Sequence, residues 1–221
     1  MKKFIVALIA IFIATMFVSC GNSSTSNVEK ARIEREQFIK DSIARVEFVK
    51  DSIATAQRNA EVIKRCANLF TIKKDEFSNN SWVKPKVAPK YRNRNGVYCY
   101  FCMNDGKPNT FRFVYQYYSD DWLFIRNMIF NIDGENFTII PKMETDCGGG
   151  KIWEWCDTYV SGGDSEYSVN ENFISKLANS KSVKIKMNGS QYYDTRTLTA
   201  EQIKAIKDTY EYYLALGGKF S

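Results

Sequence analysis

Residues 111–140 place a strong restriction on the fold, because their pattern is typical of three β-strands separated by two turns. The Asp133-Gly134 dipeptide favours a type I′ hairpin, in which both central residues have positive φ. This turn sets a register that brings apolar residues opposite one another. The predicted pairs are Ile132 with Glu135, Phe130 with Phe137, and Met128 with Ile139.

The first two predicted strands also carry apolar faces. Phe111, Phe113, Tyr115 and Tyr117 share one face of the first strand, since side chains alternate with period two. Leu123, Ile125 and Ile129 occupy the second face of the middle strand. A strand that is apolar on both faces belongs inside a layered fold. We therefore predict that the domain wraps around this meander.

The N-terminus resembles a secretory signal. Lys2 and Lys3 precede an apolar run over 4–18, which is short for a membrane span. Phe17-Val18-Ser19-Cys20 resembles the lipobox of bacterial lipoproteins, although Phe17 replaces the usual leucine-like residue. In that family the cysteine becomes the mature N-terminus and carries the lipid. The resemblance implies that residues 1–19 are removed and that Cys20 is acylated, with palmitate among its acyl chains.

The residues after Cys20 indicate which membrane the protein is attached to. They contain no acidic cluster of the kind that resembles a surface-export tag, and no aspartate that resembles an inner-membrane retention signal. By this analogy we expect the protein on the outer membrane, facing the periplasm, with cell-surface display as the alternative.

Residues 20–27 are small and polar, which predicts a flexible tether, and residues 28–66 predict one long helix. The ten residues from Phe38 recur with substitutions from Phe48, and Ile39, Ile43 and Val46 begin an apolar stripe with steps of three or four. This helical spacer is either a stalk that mediates an oligomer or a helix that lies on its own domain.

Residues 67–221 predict one globular domain that folds on its own. We expect the helix to continue or restart over 67–77, short strands to follow, and a last helix to begin at the capping box of Thr199 and Gln202. The buried stripe predicted for that helix contains Ile203, Ile206, Tyr210, Tyr213 and Leu214. The predicted fold class is α+β, with an antiparallel, sandwich-like sheet, a C-terminal helix and a long N-terminal helix.

A basic run with aromatic residues extends from Trp82 to Gly96 and contains Pro85 and Pro89. Such a run suits nucleic acid or anionic lipid head groups. An exported protein rarely meets nucleic acid, so we predict no nucleic-acid partner and interpret the run as an extended connector lying over the sheet.

The chain has no histidine, which excludes Ser-His-Asp catalysis and histidine metal sites. Cys99 and Cys102 match a C-x-x-C motif, but on a strand they face opposite sides, whereas a redox motif needs a helix N-terminus. Five cysteines remain besides Cys20, so at least one thiol is unpaired, and their spacing assigns no disulfide. We predict no cofactor and no metal.

Carboxylate pairs remain available, because glycoside hydrolysis needs two of them. The candidates are Asp120, Asp121, Glu154, Asp157 and Asp194, and no spacing selects a pair. A second idea is an aromatic platform for sugar rings built from Trp153, Trp155 and Tyr159. A third is a polar patch in which Arg196 pairs with Asp157 or Asp194, either to tie the last helix to the sheet or to bind an anionic ligand.

The segment from Gly189 to Ile203, the Leu216-Gly217-Gly218 run and the Lys-Asp-Ser-Ile-Ala helix resemble envelope lipoproteins of Bacteroidetes-type bacteria. This resemblance brings no activity or site with it. The predicted function is a lipid-anchored envelope protein with a non-catalytic binding or structural domain, whose partner is an envelope protein or a glycan. The alternative is a polysaccharide-active hydrolase that uses paired carboxylates.

Overall fold

The computed structural model describes residues 25–161 and 169–220. The predicted signal peptide, Cys20 and the first part of the tether lie outside these residues. Within the described ranges, no helix has the length and apolar character needed to cross a membrane.

The first element of the described residues is a helix of 42 residues, α1 (Thr25–Cys66), which starts earlier than the predicted Val28. The chain divides after Ile53 into two compact units. In the first unit, the side chains of the predicted stripe are about half exposed: Ile39 at 48%, Ile43 at 53% and Ile53 at 54%. The second unit, which begins at Ala54, contains the remaining elements.

Eleven strands and two further helices follow α1 in the described part of the chain. The strands are β1 (Phe70–Lys74), β2 (Asn80–Pro85), β3 (Gly96–Asn104), β4 (Lys107–Ser119), β5 (Asn127–Ile132), β6 (Glu135–Ile139), β7 (Glu144–Gly148), β8 (Lys151–Ser161), β9 (Val169–Asn170), β10 (Val183–Asn188) and β11 (Tyr193–Thr197). The helices are α2 (Glu171–Ala178) and α3 (Ala200–Ala215).

The strands form two open sheets. The large sheet has the order β1-β2-β3-β4-β8-β7, with β9 paired to β8, and the small sheet has the order β11-β10-β5-β6. All pairs are antiparallel except β8 with β9. The predicted α+β class, with antiparallel strands and a helix at each end, is confirmed.

The hairpin register predicted from Asp133-Gly134 is also confirmed, because Phe130 pairs with Phe137 and Met128 with Ile139. Both turn residues have positive φ, at 49° and 96°. The prediction of one continuous meander is wrong. Strand β4 pairs with β3 and β8 in the large sheet, whereas β5 pairs with β6 and β10 in the small one.

The middle strand is also shorter than predicted. Leu123 and Ile125 are buried but lie in the bend that precedes β5. Phe124 in this bend has a φ of 53°, a left-handed conformation that non-glycine residues rarely adopt. The bend redirects the chain from one sheet to the other.

The helix expected over 67–77 is wrong as well, since Phe70–Lys74 is strand β1. A backbone hydrogen bond of 2.9 Å from Leu69 N–H to the carbonyl of Cys66 closes the preceding helix. The strand then pairs with β2 in an antiparallel register that places Phe70 opposite Pro85. Strand pairing here outweighs the local helical pattern.

An aromatic core joins the two sheets and the helices. The rings of Phe113, Phe130 and Phe173 meet edge to face, with centroids 5.0–6.0 Å apart, and so link β4, β5 and α2. Tyr213 of α3 packs its ring on Phe111 at 5.1 Å. The sheets therefore share one core.

The last helix begins as predicted. Thr199 and Gln202 form the reciprocal capping box. Gly217, with a φ of 92°, follows the end of α3 and donates its N–H to Leu214. Leu214 itself is 37% exposed, so its place in the predicted buried stripe is wrong.

The end of α1 belongs to the core of the second unit. Cys66 is fully buried, and its thiol lies 3.8 Å from the carbonyl oxygen of Asp208 in α3. Arg65 forms ion pairs with Asp208, at 3.3 Å, and with Glu211. The packed unit therefore takes in residues 54–66 as well as 67–221.

Candidate ligand groove on the outer face of the large sheet

The large sheet has an outer face opposite the aromatic core. Since side chains alternate along a strand, the residues between the core positions point to this second face. On β8, Ile152, Glu154 and Cys156 are buried with the core, and the intervening residues lie on the outer face. The same alternation on β2, β3 and β4 gives four adjacent strands a common outer surface.

A shallow groove of about 350 Å³ lies on this surface. Four neighbouring strands and the connector after β2 contribute side chains to it. The lining residues are Trp82, Lys84, Pro89, Lys90, Arg92, Tyr98, Tyr100, Gln116 and Asp157.

The connector of residues 86–95 forms one wall of the groove. The Lys84 ammonium donates a 2.7 Å hydrogen bond to the carbonyl of Pro89, and the Arg92 guanidinium lies over the Trp155 ring at 4.6 Å. Gly96 permits this close approach, because a Cβ there would lie 2.7 Å from Pro89 Cγ. The sequence interpretation of a connector over the sheet agrees with these contacts, although Trp82 and Lys84 belong to strand β2.

Asp157 is held by two side chains from neighbouring strands. Arg112 donates from Nε to its Oδ1 at 2.7 Å and from Nη2 to its backbone carbonyl at 2.8 Å. The Tyr100 hydroxyl donates to Oδ2 at 2.7 Å. Burial opposes the charge of Arg112, but the hydrogen bond and the charge of Asp157 outweigh it, so the pKa of the guanidinium is raised. The negative charge of Asp157 is therefore compensated by Arg112 within the groove.

The other polar groups of the groove are partly removed from water. Burial lowers the pKa of the Lys84 ammonium, which also lies over the Tyr98 ring at 4.6 Å. Burial raises the pKa of Tyr98 to about 12, so this phenol is protonated at neutral pH. The pKa of Tyr100 is raised by burial and by its hydrogen bond to Asp157. Both tyrosines thus present neutral hydroxyls.

Two buried polar atoms on this face lack a hydrogen-bond partner among the described residues: Gln116 Oε1 and Trp155 Nε1. Gln116 is 3% exposed, Trp155 is 6% exposed, and the two are paired across β4 and β8. Gln116 lines the groove. An unpaired buried polar group lowers the stability of the fold by about 1–3 kcal/mol. A bound ligand that pairs with the group would explain why it is present.

The predicted aromatic residues share the outer face but form no open platform. Trp155 is covered by Arg92, and Tyr159, which is 59% exposed, has the Arg112 guanidinium over its ring at 4.2 Å. Trp153 lies over Gly148 of the edge strand β7. The groove instead uses aromatic residues of β2 and β3.

The predicted polar patch forms only in part, because Arg196 pairs with Asp194 and not with Asp157. Arg196 lies over the Tyr117 ring at 4.6 Å, donates to the Tyr118 carbonyl at 3.4 Å, and has Asp194 Oδ2 at 3.8 Å. It therefore ties β11 to β4, whereas Asp157 pairs with Arg112 on the outer face.

Glu154, a predicted hydrolase candidate, is fully buried. Its carboxylate accepts 2.8 Å hydrogen bonds from the backbone N–H groups of Leu123, Phe124 and Ile125. Asp120, another candidate, pairs with Lys151 in an exposed ion pair. The three backbone hydrogen bonds make Glu154 a structural residue.

The five cysteines of the described residues are free thiols, and four are buried. Cys99 and Cys102 both lie on β3, with Cys99 in the core cluster. Burial raises the pKa of Cys99 and raises the pKa of Cys156 to about 12. Among the described residues, no group of three or more Cys, Asp or Glu side chains is arranged to hold a metal ion.

The basic run of residues 82–96 and Asp157 supply six of the nine lining residues of the groove. Sequence reasoning missed the other three, Tyr98, Tyr100 and Gln116, and also Arg112, which pairs with Asp157. One signal was present, because a glutamine between Tyr115 and Tyr117 interrupts an aromatic strand.

No protein-family model, curated protein or solved structure matches this chain.

Proposed function

We propose that this chain is a lipid-anchored protein of the bacterial cell envelope whose β-rich domain binds a ligand in the groove and catalyses no reaction. The lipobox-like run ending in Cys20 supports the anchor. Acyl chains hold a protein on a membrane surface, and several together make the attachment lasting. The proposed address is the outer membrane, facing the periplasm, with the cell surface as the alternative.

The observation that carries the binding role is the unpartnered Oε1 of Gln116 in the groove. Lys84, Lys90 and Arg92 stand beside it. A buried acceptor that no described residue satisfies is costly to folding, and a ligand donor would satisfy it. Groups that cost stability without serving the fold are typical of binding sites.

The hydrolase alternative has less support. It needs two carboxylates that face a substrate. The Glu154 carboxylate accepts three backbone N–H groups, and both Asp157 oxygens are bonded to side chains. Neither carboxylate of β8 is free to act as an acid or a nucleophile without breaking these bonds.

The anchor is tested by metabolic labelling with radioactive palmitate. We expect label in the native protein and none in Cys20→Ser. Ser19→Ala, which keeps a small residue before the cysteine, is the control and should retain the label. Equal labelling of the native protein and Cys20→Ser would reject the anchor.

The binding role is tested by photocrosslinking in cells. A benzophenone amino acid replaces Lys90 in the groove, and in the matched control it replaces Lys176, an exposed lysine of α2. We expect a captured molecule at position 90 and none at position 176. Absence of capture at position 90 would reject the groove as the binding site.

A further inference from the structure

We infer that the groove recognises an acidic saccharide, that is, a sugar ring that carries a carboxylate. This inference rests on the proposed binding function and adds the chemical class of the ligand. The groove combines three features: positive charge in excess, aromatic walls, and a buried acceptor without a partner.

The positive charge comes from Lys84, Lys90 and Arg92, which line the groove. The carboxylate that lines it, Asp157, is already paired with Arg112 at 2.7 Å. Arg92 has Glu144 at 4.0 Å, but both side chains are exposed, and such pairs contribute little. The groove therefore presents uncompensated cations, which favour an anionic ligand.

Lys84 is the cation best placed to bind an anion. An ammonium group has three N–H donors, and Lys84 donates one of them to the Pro89 carbonyl. It forms no ion pair within 4.0 Å in the described part of the chain. A partly desolvated ammonium with unused donors gains most from a charged acceptor such as a carboxylate.

Aromatic rings form the side of the groove on β2 and β3. Trp82 and Tyr100, both half-buried, have ring centroids 5.5 Å apart, whereas the Tyr98 ring is 7% exposed and lies under the Lys84 ammonium. Aromatic faces carry partial negative charge, which attracts the polarised C–H groups on the flat face of a sugar ring. This wall favours a ring over a small inorganic anion.

The unpartnered Oε1 of Gln116 favours a sugar acid over a simple carboxylate as the ligand. Its Oε1 accepts hydrogen bonds and therefore needs a donor, which an ionised carboxylate lacks. The hydroxyl groups of a sugar are donors. A ligand with both a carboxylate for Lys84 and a hydroxyl for Gln116 satisfies both groups at once.

The test measures binding of oligogalacturonate to the full chain by calorimetry at low salt. The matched probe is the methyl-esterified oligosaccharide, which keeps the rings and hydroxyls but removes the charge, and inorganic phosphate supplies charge without a ring. We expect oligogalacturonate to bind at least about tenfold tighter than either probe. Equal binding of the methyl ester, or of phosphate, would overturn the inference.

The variant Gln116→Leu should weaken oligogalacturonate binding by about tenfold. Its unfolding midpoint should stay the same or rise, because the change removes an unpaired buried group. Arg92→Gln, at the exposed rim, gives a second variant with the same expected loss, and Lys176→Gln is the control with no loss. Unchanged affinity in both Gln116→Leu and Arg92→Gln would place the saccharide elsewhere and overturn the inference.

Failure of the acidic-saccharide inference can be distinguished from failure of the proposed binding function. If no oligosaccharide binds while the probe at position 90 captures another molecule in cells, the acidic saccharide is rejected and the binding function stands. If position 90 captures nothing, the binding function is rejected together with the saccharide.

Discussion

The carboxylate of Glu154 accepts a 2.8 Å hydrogen bond from the backbone N–H of Phe124. The neighbouring N–H groups of Leu123 and Ile125 bind the same carboxylate. One buried side chain from β8 thus fixes the bend that carries the chain from the large sheet to the small one.

Glu154→Gln should lower the free energy of unfolding by about 2–4 kcal/mol, because an amide N–H₂ group replaces an acceptor and leaves a buried donor unpaired. The measurement is urea unfolding followed by tryptophan fluorescence. Glu135→Gln, which breaks the exposed pair with Lys176, is the matched control and should cost less than about 1 kcal/mol. Equal effects of the two changes would contradict the role of Glu154.

Gly189→Ala should also destabilise the fold, because a Cβ at this position would lie 2.1 Å from the carbonyl oxygen of Leu123. Backbone cannot move aside as a side chain can, so we expect a cost of about 1–3 kcal/mol or more. Gly148→Ala is the control, since its nearest neighbour is a Trp153 ring atom at 3.3 Å. Thermal unfolding measures both, and a similar midpoint in the two variants would refute the close contact.

Arg196→Ala should lower the free energy of unfolding by about 1–2 kcal/mol, through loss of the stacking on Tyr117 and of the hydrogen bond to Tyr118. Asp194→Ala removes a weak pair at 3.8 Å and should cost less than about 1 kcal/mol. Urea midpoints distinguish the two. Unchanged stability in Arg196→Ala would return this arginine to the list of candidate ligand contacts.

The thiols provide a test that needs no change to the fold. In a Cys20→Ser chain, one thiol, Cys147, should react rapidly with a disulfide reagent, and five should react after unfolding. The reason is that the thiolate is the nucleophile, and burial both shields the other four and raises the pKa of Cys156 to about 12. Cys147→Ser should abolish the rapid phase. A rapid phase that persists in this variant would contradict the buried state of the others.

The boundary of the globular domain can be tested with two fragments. Residues 67–221 lack Cys66, which is fully buried, and lose the ion pairs of Arg65. Relative to residues 54–221, we expect a loss of about 2–4 kcal/mol in unfolding free energy, from the cavity and the missing contacts. Equal urea midpoints would show that the end of α1 adds nothing to the core.

The sequence alone determined the elements whose stabilising groups are close together in the chain. The Asp133-Gly134 hairpin has its predicted register, because the turn and the facing apolar residues lie within a few positions of each other. The capping box of Thr199 and Gln202 spans four residues and formed as predicted. The α+β class followed from such local patterns.

The tertiary structure decided which strands pair and which polar groups meet. Residues 111–140 look like one meander, yet Glu154, about thirty residues after the bend at Leu123–Ile125, binds the N–H groups of that bend. Strands β4 and β5 lie in different sheets. Asp157 likewise pairs with a residue that is distant in sequence, Arg112, and not with Arg196. Partners brought together from distant positions depend on the sum of packing in the whole core, which no short window of sequence contains.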